Sequence, residues 1–217
     1  MTAAHCFFSK KRGGLSYDSD TQIRLGDVKL KGDSSAETFN ISSIIKHPLY
    51  NGYGPRNDLA MVFTSVEIQF NERKQKIALA EDGESRPKRA KFSAWGVENN
   101  KNQASDVLKE SDLDVLEVFD CARPEYFGDS RIRSRLIEGI IFCAASAVRL
   151  VVVKKILLFL FFNQLFQATY TCSGDSGSPL VSSNQLIGIL HGSNRKKCVS
   201  SILEVIPNAE FMFFYAT

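Results

Sequence analysis

Near its C-terminal end the chain carries Cys172-Ser173-Gly174-Asp175-Ser176-Gly177-Ser178-Pro179-Leu180, a serine set between glycines. Glycine reaches backbone conformations closed to other residues, so a tight turn here can push the Ser176 hydroxyl outward while neighbouring N–H groups aim at one point. Such an arrangement suits the nucleophile of an acyl transfer. A serine hydroxyl is feeble at neutral pH, and it needs an imidazole to take its proton and a carboxylate to hold that imidazole in the right tautomer. The chain offers three histidines, His5, His47 and His191. His5 follows Thr2-Ala3-Ala4, His47 precedes Pro48 in a turn-like stretch, and His191 lies beyond Ser176. Asp58, in Asn57-Asp58-Leu59-Ala60-Met61, opens an apolar run and suits either an orienting carboxylate or a plain strand cap. By residue type alone, a glycine-flanked serine is also an ordinary turn.

The elements that must position these groups read as strands. Apolar residues alternate with period two at Ile23 and Leu25, Phe39 and Ile41, Leu59, Met61 and Phe63, and Leu113 and Val115. Gly13-Gly14, Gly26-Asp27, His47-Pro48 and Asn51-Gly52 punctuate them. Two apolar stretches flank Ser182-Ser183-Asn184-Gln185, which predicts a hairpin directly after the serine segment. The 217 residues are 44% hydrophobic and 24% charged, an ordinary folded composition, and the net charge of +3 is too small to point to nucleic acid. The basic runs Lys10-Lys11-Arg12 and Arg86-Pro87-Lys88-Arg89-Ala90-Lys91 read as solvated loops. Five cysteines form no CxxC pair, which excludes zinc-ribbon and thioredoxin-like motifs. Residues 148–167 are almost wholly apolar, yet the uncharged run at 156–166 is far short of the ~20 residues that a membrane helix needs.

Several stretches resemble the chymotrypsin/trypsin-like serine endopeptidases. Thr2-Ala3-Ala4-His5-Cys6 is similar to that family's TAAHC, Asn57-Asp58-Leu59-Ala60-Met61 to its NDIAL, and Gly174-Asp175-Ser176-Gly177-Ser178-Pro179 to its GDSGGP. Ile23-Arg24-Leu25-Gly26, Ala94-Trp95-Gly96 and Ile141-Phe142-Cys143-Ala144 resemble further family segments. The order His, Asp, Ser is the family's own. The resemblance implies an all-β fold of two packed antiparallel barrels, about 1–90 and 91–217, with a catalytic triad of His5, Asp58 and Ser176. It implies an oxyanion hole from the N–H groups of Gly174 and Ser176, and a substrate pocket near Tyr170, His191, Gly192 and Ser193. It also implies disulfides Cys121–Cys143 and Cys172–Cys198, an unpaired Cys6, and no metal or organic cofactor. Protein or peptide substrates, protein inhibitors as partners, and an extracellular location follow from the same likeness; nucleic-acid and membrane partners do not.

The departures carry information too. Ser178 stands where the family has its second glycine, and Tyr170 where trypsins carry the aspartate that selects Lys or Arg. In the family, a freed N-terminal ammonium pairs with the aspartate corresponding to Asp175, and neither that segment nor the earliest strands of the first barrel are expected within this chain. Residues 148–167 have two readings. One is a translated intron: Val148-Arg149 can be encoded by GTAAGA and Leu165-Phe166-Gln167 by TTATTTCAG, and removal of the segment shortens the step from Cys143 to Cys172 from 29 positions to 9. The other is a genuine apolar insertion on the second barrel.

Overall fold

The computed structural model describes residues 1–9, 14–15, 20–31, 35–52, 56–81, 85–97, 103–117, 141–145, 171–193 and 200–205. Among them the fold is all-β, as expected, and the lone helical piece is a 3-10 turn at Ala4–Cys6. A short pair, β1 (Phe8–Ser9) and β2 (Gly14–Leu15), follows it. The three-stranded sheet of the first region joins β3 (Gln22–Leu25), β4 (Glu37–Lys46) and β5 (Ala60–Thr64) in that order, all antiparallel.

The second region contains β6 (Ala78–Leu79), β7 (Arg89–Ala94), β8 (Lys109–Leu116), β9 (Ile141–Ala145), β10 (Pro179–Ser182), β11 (Gln185–Ser193) and β12 (Ser200–Val205). Their order is β10-β7-β8-β9-β12-β11-β6, and β10 also pairs with β11. That extra pairing closes six strands into a ring, a barrel with no free edge along its paired residues. Alternation decides which side chains fill it. On β7, Ala90, Phe92 and Ala94 point inward beside Leu113, Phe142, Ala144, Leu180 and Leu190. The outward Arg89 meets Asp114 directly opposite at 3.4 Å, and Lys91 pairs with Glu110. All five residues of β9 are buried.

The predicted hairpin is present. Ser182 faces Gln185 across a two-residue turn in which Ser183 and Asn184 both have positive φ, 48° and 60°, the conformation whose twist matches that of the flanking strands. Leu59, Met61 and Phe63 do not share one buried face, contrary to simple alternation: Leu59 is fully buried just before β5, and Phe63 is exposed within it.

The two regions meet in a small apolar cluster of Ala3 and Leu59 from the first and Leu186 and Ile189 from the second. Ala3 and Leu59 are the chain neighbours of Ala4-His5 and of Asp58, so this contact lies directly beside the candidate site. A second seam joins Leu30 N–H to the Asp106 carbonyl at 2.8 Å and Trp95 Nε1–H to the Val28 carbonyl at 3.0 Å.

Candidate active site

Backbone pairing brings His5 to Asp58 before any side chain is considered. Thr2 and Ala60 exchange N–H···O bonds of 2.9 and 2.8 Å, and Ala4 N–H donates to the Asp58 carbonyl at 3.2 Å. Asn57 takes φ 57°, a left-handed conformation that asparagine tolerates better than most residues, and the chain then turns Asp58 inward. The 3-10 turn raises His5 over it. His5 N–H donates to Asp58 Oδ1 at 2.7 Å, and His5 Nδ1–H donates to Oδ2 at 2.6 Å. The carboxylate is the acceptor, which assigns the ring proton to Nδ1 and leaves Nε2 with its lone pair.

Asp58 has a further partner. His191, on β11, also donates from Nδ1 to Oδ2, and its ring stands edge to face with His5, centroids 5.2 Å apart. Burial alone pushes the Asp58 carboxyl up, but the hydrogen bonds from His191 and His5 outweigh it and hold the group below its ordinary range. The sequence placed His191 only in the substrate pocket. Its role on Asp58 has no local signal, since the two residues are 133 positions apart.

The Ser176 loop is held from the second region. Gly177 N–H donates to the Leu190 carbonyl at 2.8 Å, and Leu190 N–H to the Ser178 carbonyl at 2.9 Å, which fastens the loop to β11. Asp175 is buried and accepts Cys172 N–H at 2.7 Å on Oδ2 and Gly96 N–H at 2.8 Å on Oδ1. A Cβ on Gly96 would come within 2.0 Å of Asp175 Oδ1, so the glycine is required by this close approach. Sequence reading passed over that demand. Burial raises the Asp175 carboxyl above its ordinary range against the opposing pull of those two N–H groups. Gly174 takes φ 90°, open to glycine at little cost, whereas Ser178 needs no positive φ and tolerates its side chain.

Among the described residues, the N–H groups of Asp175, Gly177 and Ser178 are bonded within the protein, while those of Gly174 and Ser176 are not. These are the two groups expected to form an oxyanion hole. The Ser176 hydroxyl donates to the His191 carbonyl at 3.4 Å rather than to His5. Cys6 is a free thiol, as expected, with its Sγ 3.7 Å from the Ser176 carbonyl. Partial burial of the sulfur, then the charge on Asp58, push this thiol up to about 11, which keeps it protonated and unreactive at neutral pH.

Of the remaining expectations, Gly192 has open space where a Cβ would stand, while Ser193 ends β11. Tyr170, Cys121, Cys198 and residues 148–167 lie outside the described residues, and with them both expected disulfides.

A solved structure titled neuropsin, a serine protease expressed in the limbic system of mouse brain, superposes with a TM-score of 0.70 over 98% of this chain and 82% of that one, at 20% identity. That likeness shows the fold, the two-barrel trypsin type. The family model described as Trypsin matches residues 1–150 and 157–206, and the chain belongs to the trypsin family. Trypsin delta of Drosophila melanogaster is 28% identical over 191 residues, covering 88% of this chain and 62% of the relative. Serine protease 1 of Rattus norvegicus is 28% identical over 195 residues, with 63% of its length covered. The chain thus spans under two thirds of the length of these relatives.

Proposed function

We propose that this chain is the catalytic part of a secreted serine endopeptidase that cleaves proteins or peptides through an acyl-enzyme intermediate. The observation that carries the reading is the His5–Asp58 pair on the first region beside a serine loop on the second, in which the N–H groups of Gly174 and Ser176 have no partner among the described residues. In this reading His5 Nε2 takes the proton of Ser176 Oγ as it attacks the scissile carbonyl, and later returns it to the leaving amine. Asp58 holds the tautomer, and the two N–H groups receive the oxyanion, a contribution of ~3 kcal/mol per donor in such sites. The domains divide at about residue 90, with the short β6 before that point already paired to β11 of the second sheet, and Cys121–Cys143 and Cys172–Cys198 brace the second barrel. Tyr170 cannot neutralise a substrate cation, so the pocket that it shares with His191, Gly192 and Ser193 does not favour Lys or Arg.

The test is labelling of the processed protein with a fluorophosphonate probe, together with hydrolysis of a peptide ester. Ser176→Ala should abolish labelling and lower the rate by roughly 10⁴- to 10⁶-fold. One observation favours a second reading, a protease-like chain without activity: Ser176 is turned towards the His191 carbonyl, and among the described residues Asp175 has no cationic partner. Failure of the processed protein to label would establish that reading. Residues 148–167 are proposed to be a translated intron; it is within this segment that the family match skips 151–156. Sequencing of cDNA should reveal a spliced form that joins Ala147 to Ala168, and transcripts that uniformly retain the segment would sink the idea.

A further inference from the structure

The protease reading uses one of the two imidazoles that meet Asp58. His5 and His191 approach the same oxygen, Oδ2, and one ligand atom from each of His5, Asp58 and His191 lies within 4.8 Å of the others. The Asp58 side chain is wholly buried, whereas those of His5 and His191 are 32% and 21% exposed, so the cluster has a closed anionic floor and a rim open to water. Two imidazoles and one carboxylate are the donors of borderline divalent ions, whereas Ca²⁺ and Mg²⁺ take all-oxygen sets. A proton relay through His5 needs only one of these rings on Asp58.

We propose that His5 Nδ1, His191 Nδ1 and Asp58 Oδ2 bind a borderline divalent transition-metal ion of the Zn²⁺ class, and that the ion switches the triad off. The binding stands on the geometry alone; the switching rests on the protease reading. Each Nδ1 now carries a proton directed at Oδ2. An ion bound there replaces both protons, which pass through solvent to the two Nε2 atoms, so both rings stay neutral and no net proton is released. With a proton on Nε2, His5 has no lone pair for the Ser176 hydroxyl, and its role as general base is lost. An ion bonded at ~2.0–2.1 Å to both nitrogen and oxygen in a tetrahedral shell sets those two atoms roughly 3.3 Å apart, farther than the present 2.6 Å contact between His5 Nδ1 and Asp58 Oδ2. The part-exposed rings therefore shift outward to admit the ion, and water completes the four-coordinate shell.

The chain has three histidines, which makes the test complete. The full chain is titrated with ZnCl₂ by calorimetry and with CoCl₂ by visible absorption, beside ester hydrolysis by the processed protein. One ion should bind per chain, and His47→Gln should leave that binding unchanged. His191→Ser, which keeps a hydroxyl able to donate to Asp58, should weaken it by on the order of 100-fold, at least as much as loss of an outer partner costs a metal site. His191→Gln provides the same comparison should the serine variant not fold. No binding to the natural chain, binding unaffected by loss of His191, or binding abolished by Cys6→Ser would each overturn the site. Zn²⁺ binding that leaves hydrolysis untouched overturns the switch. Binding to a processed protein that hydrolyses nothing upholds the site and removes the protease reading.

Discussion

The two regions use the same strand chemistry to different ends. In the second, pairing of β10 with both β7 and β11 closes the ring, and Ile141, Leu180, Ile189 and Leu190 are all but inaccessible. In the first, β3-β4-β5 is an open sheet among the described residues, and Leu49, Val66 and Phe70, in the segments that flank its strands, are exposed. A closed ladder removes both edges and apolar faces from water, while an open one leaves part of each outside. The candidate site straddles this difference: His5 and Asp58 come from the open side and Ser176 from the closed one. What holds the open side in place at the site is the small cluster of Ala3, Leu59, Leu186 and Ile189 and the Thr2–Ala60 ladder.

The comparison can be tested with one substitution made twice. Leu180→Ala, in the barrel core, should cost ~2–5 kcal/mol of unfolding free energy, because the ring cannot collapse around the lost volume. Leu49→Ala, at a side chain 72% exposed, should change it by no more than ~0.5 kcal/mol. Equal costs in urea denaturation would mean that the closed ring is not the more tightly packed region.

A smaller effect should follow from Gly96→Ala. Its methyl group would collide with Asp175 Oδ1, so the serine loop must shift, at a cost of ~1–3 kcal/mol. Differential scanning calorimetry reads the stability, and fluorophosphonate labelling should fall with it. An unchanged melting temperature with full labelling would show that Asp175 moves aside freely.

The smallest effect is a pH dependence that separates the two buried aspartates. Asp175 is raised in the folded state, so the native chain binds the proton more tightly; its contribution is fully present below the unfolded value of ~3.9 and is lost as pH rises through the folded value. Asp58 is lowered, so its contribution is present above ~3.9 and is lost as pH falls through its folded value. Acidification from neutrality should therefore first stabilise the chain slightly and then destabilise it. Asp175→Asn should remove the first phase and leave the second. A monotonic loss of stability on acidification of the natural chain would contradict the shift assigned to Asp175.

Much of this was legible in the chain, and the boundary is physical. The turn at Ser183-Asn184, the strands around Ile23 and Leu113, and the contact of His5 with Asp58 announce themselves through short-range chemistry or through motifs with fixed neighbours, whereas the Ser176 hydroxyl, marked by its motif, meets the His191 carbonyl. The contacts that define the site most sharply do not. Gly96 meets Asp175 across 79 positions and His191 meets Asp58 across 133, and no periodicity reports which strands a barrel will set side by side. The exposure of Phe63 escaped for a related reason: alternation states which residues share a face, but not whether that face is covered.

The place of β12 carries a consequence for synthesis. Ser200–Val205 emerges last of the described strands, yet it lies between β9 and β11 and pairs with both. While the nascent chain is still leaving the ribosome, β9 and β11 each present an unpaired edge, and β9 is a strand whose side chains are all destined for the interior. Ring closure is therefore a late, long-range event that no local element can begin early. Until residue 205 clears the exit tunnel, protection of those two edges falls to whatever folding helpers meet the chain.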